Sequence, residues 1–282
     1  MNPSACGAPA AARPPPRLVT AVLELGWDEF SGAGVQELAL GVLTVAVPHI
    51  PVFWAPQRCW GTGRGDVVPS LPALLPAVCK AGVGLMGPLE TYSDQAMKTV
   101  FDVNLFGAVR PIQASLPAMK RRRAGRIIIS SSVGGLQGLP FNSLYCASKF
   151  AVEGLCESLA IVLQRFNIYL TLVECGPVNT SFLANLQRPD PEGSELQGLD
   201  AETQDLYCRY LQHCQSLFRD TAQEVEEVLQ VFLEAIGTPC PPLRCVTTQL
   251  FAPFSRLRLA NPDGSAYVRA MHDFVFGHGK AG

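Results

Sequence analysis

The sequence predicts an α/β fold in which a Rossmann-like parallel β-sheet lies between two layers of helices. Two apolar segments rich in β-branched residues, 126–130 and 168–174, have the composition of buried strands. A helical segment at 144–165 separates them, and a strand–helix–strand order produces parallel strands. The chain has 282 residues, of which 48% are apolar and 16% are charged, so it can build a large core.

The elements around the first strand follow from capping and helix-breaking residues. Ser93 or Asp94 can cap a helix that continues past residue 101 and closes at 116–123. Gly125 ends this helical segment, and the glycine-rich stretch after the strand predicts a loop. On the helix at 144–165 we expect a buried row of four apolar side chains, Phe150, Leu155, Leu159 and Leu163.

The C-terminal third predicts two further helices, 205–218 and 223–236. A proline-rich segment, 240–265, is expected to be irregular, and a final helix ends at Phe276. We expect the region from about 183 to 282 to determine the choice of substrate.

Residues 1–77 do not continue the strand–helix pattern. Their recurring prolines fix φ and remove backbone donors, which interrupts regular structure. Two glycine-rich sites, 31–34 and 61–65, lack the preceding strand and following helix of a phosphate-binding turn. We therefore expect residues 1–77 to be an atypical, irregular segment, and residues 78–282 to be the catalytic part. In this interpretation the N-terminal strands and the phosphate-binding turn of the sheet are missing or replaced.

Ser132, Tyr145 and Lys149 are the leading candidates for catalysis. A lysine four residues after a tyrosine lies on the same face of a helix. A cation there lowers the pKa of the phenol, which is normally about 10, so that Tyr145 could transfer a proton near neutral pH. Ser132 follows the apolar run 127–129 and could hydrogen-bond the substrate oxygen that Tyr145 protonates.

Four segments carry a resemblance to a known family: AGVGLMGPLE at 81–90, FDVNLFGAVR at 101–110, MKRRRAGRIIISSSVGGLQGLPFNSLYCASKFAVEGLCESLA at 119–160 and LVECGPVNTSF at 172–182. Over about residues 78–282 the chain resembles the short-chain dehydrogenase/reductase family, in its branch of steroid and retinol dehydrogenases. The resemblance implies an oxidoreductase that uses NADP(H) or NAD(H). It also adds Asn104 to the three catalytic candidates. This residue would lie at a distortion of its helix and hold a water for proton transfer.

The resemblance also implies where the cofactor binds. The corresponding positions are Ala81, Gly82, Tyr145, Lys149, Gly176, Pro177, Val178 and Thr180. Lys80 stands where the family has an asparagine, which puts the local cofactor geometry in question. The acidic residue that separates NAD from NADP belongs to the missing region, so the preference between them stays open.

For the substrate, the resemblance implies contacts from eight residues, Ser132, Leu139, Phe141, Asn142, Tyr145, Phe182, His213 and Leu217. The apolar members, together with Val178, would line a pocket for a steroid or a retinoid. His213 aligns with a histidine that contacts the distal oxygen of a steroid in this family. Phe274 stands where the steroid-binding relative has a carboxylate, and this departure weakens the steroid interpretation.

Three functions remain open on this evidence. The first is an oxidoreductase that acts on a steroid 17β-hydroxyl or 17-keto group, of the estradiol/estrone type, with NADP(H). The second is a retinol/retinal dehydrogenase, which would also belong to lipid metabolism. The third is a catalytically inactive family member, or a product of splicing or of an incorrect gene model, that lacks the cofactor site.

The net charge and the spacing of the cysteines bear on other possible partners: nucleic acid, metal ions and membranes. The formal net charge of −2 gives no electrostatic case for nucleic-acid binding. The ten cysteines show no metal-ligand spacing, so we expect no metal, and we interpret them as thiols of a reducing, cytoplasmic compartment. The basic run 120–123 should lie at the C-terminus of a helix, where cations suit the helix dipole. Peripheral contact with an anionic membrane is the second interpretation of this run, and a homodimer is left open.

Overall fold

The centre of the fold is a sheet of four parallel strands with a short antiparallel strand at one edge. The computed structural model describes residues 43–44, 76–182, 186–190 and 193–277, which belong to one compact unit, Ala39–Gly282. Strand β1 (Leu43–Thr44) pairs antiparallel with β2 (Ala77–Cys79). Strands β3 (Gly125–Ser132), β4 (Ile168–Cys175) and β5 (Arg244–Val246) follow in parallel and in this order. The predicted parallel α/β sheet is therefore confirmed.

Helices connect the parallel strands and extend the C-terminal part. In chain order they are α1 (Asp94–Phe101), α2 (Gly107–Arg122), α3 (Ser143–Leu163), α4 (Ser194–Gln197), α5 (Ala201–Thr221), α6 (Val225–Gly237), α7 (Ala252–Ala260) and α8 (Ser265–Phe276). A π-helical turn, Asp102–Phe106, joins α1 to α2. Ser93 caps α1 by accepting a hydrogen bond from the backbone nitrogen of Ala96 at 3.2 Å, as predicted.

Successive residues of the strands face two different helical layers. On one face, Ile127 and Ile129 of β3 pack with side chains of α2 and α3 in the largest apolar cluster. On the other face, Ile128 and Val173 pack against Ala235 of α6. This alternation explains why the isoleucine run is buried completely, and it gives the three-layer arrangement of a Rossmann-like fold.

The C-terminal helices form a separate apolar cluster beside the sheet. Tyr207, Tyr210 and Leu211 of α5 are buried with Met271 and Val275 of α8. Residues from the loop before α3 pack against the same cluster. The segment predicted to determine substrate choice is thereby joined to the loop that follows the catalytic strand.

Two predictions about secondary structure and packing are wrong. Residues 240–265 are not irregular throughout, because they contain β5 and α7. On α3, Leu163 is buried, but Phe150, Leu155 and Leu159 are only partly buried. The face of α3 that meets the sheet carries the smaller side chains of Val152 and Cys156 as its buried members, together with Leu163.

The prediction about residues 1–77 lies almost entirely outside the described residues. A doubly wound sheet has its first strand parallel to the fourth along the chain. Here β2 has the antiparallel strand β1 as its described neighbour on that side. Among the described helices, none is long and apolar enough to cross a membrane.

Candidate active site

Ser132 and Tyr145 meet where β3 ends and α3 begins. Ser132 is the last residue of β3, and its hydroxyl accepts a hydrogen bond from the backbone nitrogen of Gly134 at 3.1 Å. The Tyr145 ring and the Ser132 hydroxyl flank Gly134, since a methyl group added there would lie 3.2 Å from the ring and 3.6 Å from the hydroxyl oxygen, and the Ser132 side chain acts to lower the pKa of Tyr145. A glycine at this position lets the turn approach the tyrosine closely.

Lys149 lies one helical turn after Tyr145 and is buried. Its ammonium nitrogen is 5.9 Å from the centre of the Tyr145 ring and donates to the Ser130 carbonyl oxygen at 3.2 Å. Burial lowers the pKa of Lys149 to about 8, against the attraction of the Cys175 and Glu153 side chains. The spacing rule thus brings the three predicted catalytic residues together.

Burial dominates the pKa of Tyr145. It raises this pKa well above its usual value, and the Ser132 side chain opposes the shift only in part. The Lys149 ammonium group donates to the Ser130 carbonyl oxygen of the strand. Burial therefore outweighs any lowering of the phenol pKa by this lysine in the described site, and the role of Lys149 in ionising Tyr145 stays a prediction.

Asn104 lies in the π-helical turn and is 2% exposed. Its side-chain oxygen accepts from the backbone nitrogen of Val83 at 2.8 Å, and its nitrogen donates to the Val83 carbonyl oxygen at 3.0 Å. The same nitrogen donates to the Ser148 hydroxyl at 2.9 Å. Asn104 therefore ties the loop after β2 to α3 beside the catalytic lysine. The predicted helix distortion is present, and the role in holding a water stays a prediction.

Six of the eight predicted cofactor positions lie after the C-terminal ends of β2 and β4, on the same edge of the sheet as Ser132, and the other two, Tyr145 and Lys149, lie in α3. A methyl group on Gly82 would lie 3.4 Å from the Lys149 ammonium nitrogen, so this loop covers the lysine. A methyl group on Gly176 would lie 2.4 Å from a methyl carbon of Thr248, so a larger residue there would force a neighbouring group to move. Ligands of doubly wound sheets bind at this edge.

The donor set fits one end of a nicotinamide dinucleotide better than the other. A buried ammonium group and a tyrosine hydroxyl at the edge of the sheet suit a ribose and a reacting carbonyl. A phosphate-binding turn would come from a parallel strand beside β2, and the described strand there, β1, is antiparallel. Lys80 directly follows β2. Most of its side chain is exposed, and the part that is covered lowers its pKa. Among the described residues, Tyr145 and Lys149 are therefore the groups that could hold the nicotinamide end of such a cofactor.

The predicted substrate residues separate into two groups. The Phe182 ring lies 6.2 Å from the Tyr145 ring, so it is beside the catalytic residues. The Phe141 ring packs instead against Tyr207 at 5.2 Å and Tyr210 at 5.6 Å. Leu139 packs against the same C-terminal cluster, as shown by its apolar contacts.

The polar members of the substrate set have partners within the protein. Asn142 is buried, and its side-chain nitrogen donates to the Tyr210 hydroxyl at 2.7 Å and to the Pro140 carbonyl oxygen at 2.8 Å. The His213 ring is partly buried and meets the Phe274 ring edge-on, with 5.0 Å between the ring centres. Leu217 and Val178 are partly buried, and Thr180 is exposed.

A buried charge cluster that the sequence did not predict lies behind Lys149. Glu153 lies one turn after Lys149, and its carboxylate accepts from the Ser131 hydroxyl at 2.6 Å and from Arg244 of β5 at 3.0 Å. Arg244 also donates to Glu157 at 2.7 Å and lies 3.4 Å from Glu174. Glu153 and Glu157 continue the four-residue spacing of Tyr145 and Lys149, so the sequence could have placed both carboxylates on the same face of α3. No local pattern marked Arg244.

Glu174 of β4 is fully buried, and neither of its carboxyl oxygens has a hydrogen-bond partner. Burial and the nearby Glu153 raise the pKa of Glu174 to about 7, although Arg244 opposes this.

Seven cysteines in the described ranges are free thiols: Cys79, Cys146, Cys156, Cys175, Cys208, Cys214 and Cys245. No group of three possible metal ligands occurs among residues that the structure describes.

The fold and the clustered Ser132, Tyr145 and Lys149 define an α/β protein with a serine–tyrosine–lysine site, and similarity to known proteins identifies the family. Residues 70–191 match the short chain dehydrogenase family. Bovine (Bos taurus) retinol dehydrogenase 8 is 47% identical over 240 residues, which is 84% of this chain and 75% of that protein. The chain belongs to the short-chain dehydrogenase/reductase family, whose cofactor is NAD(H) or NADP(H).

Other relatives are steroid dehydrogenases. Human (Homo sapiens) 17-beta-hydroxysteroid dehydrogenase type 1 is 52% identical over 215 residues, which is 76% of this chain. The mouse (Mus musculus) protein of that name is 46% identical over 238 residues, which is 84% of this chain. The chain spans only 62% of the human protein and 66% of the mouse protein.

Solved structures agree with the fold. A short-chain dehydrogenase from Streptomyces avermitilis has a TM-score of 0.54 at 23% identity, over 68% of this chain and 70% of that one. A short-chain dehydrogenase/reductase from Burkholderia phymatum in complex with NAD has a TM-score of 0.54 at 26% identity, over 66% of this chain and 65% of that one.

Proposed function

We propose that residues 78–282 form the catalytic part of an oxidoreductase that interconverts a carbonyl and a hydroxyl group on a small apolar substrate. The observation that carries this proposal is the convergence of Ser132 and Tyr145 on either side of Gly134, with the Lys149 ammonium nitrogen 5.9 Å from the centre of the Tyr145 ring. NADP(H) or NAD(H) would supply the hydride. Tyr145 would donate the proton from its hydroxyl oxygen to the carbonyl oxygen, and Ser132 would hydrogen-bond that oxygen and stabilise the charge on it.

Lys149 and Asn104 have supporting roles in this proposal. The Lys149 ammonium group would hold a ribose hydroxyl of the cofactor and would favour the ionised tyrosine once that contact draws it from the Ser130 carbonyl. Asn104 would keep the loop after β2 in place over Lys149, because its side chain bonds both backbone groups of Val83. Its role in holding a water for proton transfer belongs to the same proposal.

The proposed substrate is a steroid with a 17β-hydroxyl or 17-keto group, in line with the names of relatives at 46–52% identity. A retinoid is the second candidate, and a specific observation favours it. The ring of His213 packs edge-on against Phe274, so an apolar ring occupies the position where a carboxylate would help to anchor a distal hydroxyl. A substrate with an apolar distal end suits this pair better.

The alternative to an enzyme is a protein without catalytic activity. Without a phosphate-binding turn, the chain would be a catalytically inactive member of the family.

A cytoplasmic location, a role in lipid metabolism and a homodimer are consistent with the main proposal and are proposed with it.

The test uses a chain in which residues 1–77 are replaced by the leading strands and phosphate-binding turn of a steroid dehydrogenase relative. In that chain Tyr145→Phe should reduce the turnover of estrone or all-trans-retinal by roughly 10²- to 10⁴-fold, because the general acid is lost. Tyr169→Phe, a change at a partly buried tyrosine of β4, is the matched control. Turnover of the Tyr145→Phe variant within tenfold of its parent would contradict the proposal.

Phe274→Glu in the same chain separates the two substrates. If the substrate is a steroid, a restored carboxylate should improve kcat/KM for estrone and impair it for all-trans-retinal. The opposite change, or a loss for both, would favour the retinoid.

A further inference from the structure

A buried carboxylate, that of Glu153, lies one turn of α3 after the buried ammonium group of Lys149. Each of these two residues is 5% exposed. A spacing of four residues places them on the same face of the helix. The candidates for catalysis, cofactor binding and substrate binding do not include Glu153, so its position behind the active site has no role assigned to it so far.

The end of β3 holds both side chains. The Lys149 ammonium nitrogen donates to the Ser130 carbonyl oxygen at 3.2 Å. The next residue, Ser131, donates its hydroxyl to the Glu153 carboxylate at 2.6 Å. Ser132, a catalytic candidate, is the residue after that and ends the strand. Two successive residues of one strand therefore fix the ammonium group and the carboxylate beside the catalytic serine.

The turn Val133–Gly135 covers the Glu153 carboxylate. A methyl group added to Gly135 would lie 3.0 Å from the Cγ atom of Glu153 and 3.2 Å from one of its carboxylate oxygens. It would also lie 3.0 Å from the Ser131 hydroxyl oxygen. Because the backbone of the turn packs directly on the carboxylate, water has little access from that side. Solvent and salt therefore screen this charge much less than a charge at the surface.

The charges around Glu153 do not cancel. Arg244 donates to Glu153 at 3.0 Å and to Glu157 at 2.7 Å, and it lies 3.4 Å from Glu174. One guanidinium group against two ionised carboxylates leaves a negative charge even while Glu174 keeps its proton. The Arg244 side chain is also 33% exposed, compared with 7% for Glu153, so water screens the positive charge more than the negative one.

The other groups that face Lys149 in the described ranges are uncharged when it titrates. They are the Ser130 carbonyl of β3, the Asn104 amide, the Tyr145 phenol and the Cys175 thiol of β4. Burial raises the pKa of Cys175 above 9.0 and that of Tyr145 above 10.0, whereas it lowers the pKa of Lys149 to about 8. Glu153 is therefore the ionised group that opposes the loss of the proton from Lys149.

We propose that Glu153 is a positioning residue of the active site, whose buried carboxylate keeps the Lys149 ammonium group charged at neutral pH. This inference rests on the proposed function, because Lys149 serves catalysis there as a cation that holds a ribose hydroxyl and favours the ionised tyrosine. Glu153 acts through Lys149. Ser131 and Arg244 hold the carboxylate in place, so a residue of β5 also contributes to the site.

An NMR titration of the lysine side chains tests this proposal in the 282-residue chain and needs no cofactor. The chain has five lysines, so ¹³C-labelled lysine gives few side-chain signals, and K149M identifies the signal of Lys149. In the parent chain this signal should titrate near pH 8. E153Q keeps the size of the side chain and removes its charge. It should lower the Lys149 midpoint by about one pH unit, the effect of losing a nearby opposite charge.

The matched control is E157Q, which removes a 59% exposed carboxylate from the same helix and the same arginine. It should move the Lys149 midpoint by less than about 0.3 pH units, because water screens an exposed charge. E153D keeps the charge and should leave the midpoint within about half a pH unit of the parent. Circular dichroism checks the fold. If E153Q unfolds, E153Q/R244M removes both charges of the pair and should show the same fall.

The pH profile of activity separates a positioning role from a structural one. In the chain with a restored N-terminal half, E153Q should move the alkaline limb of kcat/KM for carbonyl reduction to lower pH by as much as the Lys149 midpoint moves. A structural role alone would lower kcat/KM at every pH and leave the limb in place. E157Q should leave the profile unchanged.

Three results would overturn the proposal. The first is a Lys149 midpoint that E153Q leaves unchanged, and the second is an equal fall in E153Q and E157Q. Neither requires turnover, so neither depends on the proposed function. The third is a restored chain that is active but whose alkaline limb does not move in E153Q. A fall of the Lys149 midpoint in E153Q alone, in a restored chain without turnover, would support the effect of the charge and would contradict only the proposed function.

Discussion

Replacing Glu174 by glutamine should change how the stability of the protein depends on pH. This carboxyl group is fully buried, and no donor bonds either of its oxygens. Burial raises its pKa from 4.5 to about 7 in the folded chain. Between these two pH values the unfolded chain has lost the proton that the folded chain keeps, so stability falls as pH rises through this window.

The size of the effect follows from that interval. About 1.4 kcal/mol per pH unit, from pH 4.5 to about 7, gives a loss of about 3 kcal/mol that is complete above pH 7. Glutamine has nearly the same shape and does not ionise. The E174Q variant should therefore match the parent at pH 4.5 and exceed its unfolding free energy by up to about 3 kcal/mol at pH 8.

Urea unfolding at a series of pH values from 4.5 to 8 measures this difference. The control is E157Q, which removes a 59% exposed carboxylate side chain bound to the same arginine. An exposed ion pair contributes about 0–1 kcal/mol, so E157Q should shift the curve little and leave its pH slope unchanged. A difference between E174Q and the parent that is constant with pH, or an E174Q variant less stable than the parent at pH 8, would refute the reasoning.

Two further predictions concern stability at the same edge of the sheet. Arg244→Met leaves the buried Glu153 carboxylate without its cation and should cost about 2–4 kcal/mol in urea unfolding at pH 7, since Arg244 is itself partly exposed. Arg219→Met, at an exposed pair, should cost less than about 1 kcal/mol, and equal losses would contradict this account. Gly176→Ala places a methyl group 2.4 Å from a threonine side chain and should cost about 1–3 kcal/mol. Gly138→Ala is the control, because nothing lies within 4 Å of the added methyl group, and it should lower the unfolding free energy by less.

The sequence was sufficient to predict the centre of the fold and to select residues that the structure brings together as candidates for catalysis. A run of isoleucines has few alternatives to a buried strand, and Ile127–Ile129 are indeed 0–2% exposed. Helix geometry alone places Lys149 on the same face of α3 as Tyr145, so their proximity could be predicted without tertiary contacts.

Other features depend on contacts that no local pattern records. Strand β5 forms in a proline-rich segment because Leu172 and Val173 of β4 pair with it, which is a tertiary constraint. The same pairing brings Arg244 to Glu153, which is distant in sequence. The pKa of Tyr145 depends on burial and on which group Lys149 bonds, and spacing does not specify either.

Binding of NADPH by the 282-residue chain tests the central claim most directly. The claim is that this chain holds the nicotinamide end of a dehydrogenase site, with Tyr145 and Lys149, while residues 1–77 do not build the phosphate-binding turn. Each charge-assisted hydrogen bond lost at the pyrophosphate contributes about 1.5–3 kcal/mol, so losing several reduces affinity by orders of magnitude.

Titration of NADPH fluorescence against the purified chain measures that affinity. The account predicts a dissociation constant far weaker than micromolar, with little or no reduction of estrone or all-trans-retinal. The chain with a restored N-terminal half should bind in the micromolar range and serves as the control. Micromolar NADPH binding with turnover by the 282-residue chain itself would contradict the account and would mean that residues 1–77 do form a phosphate site.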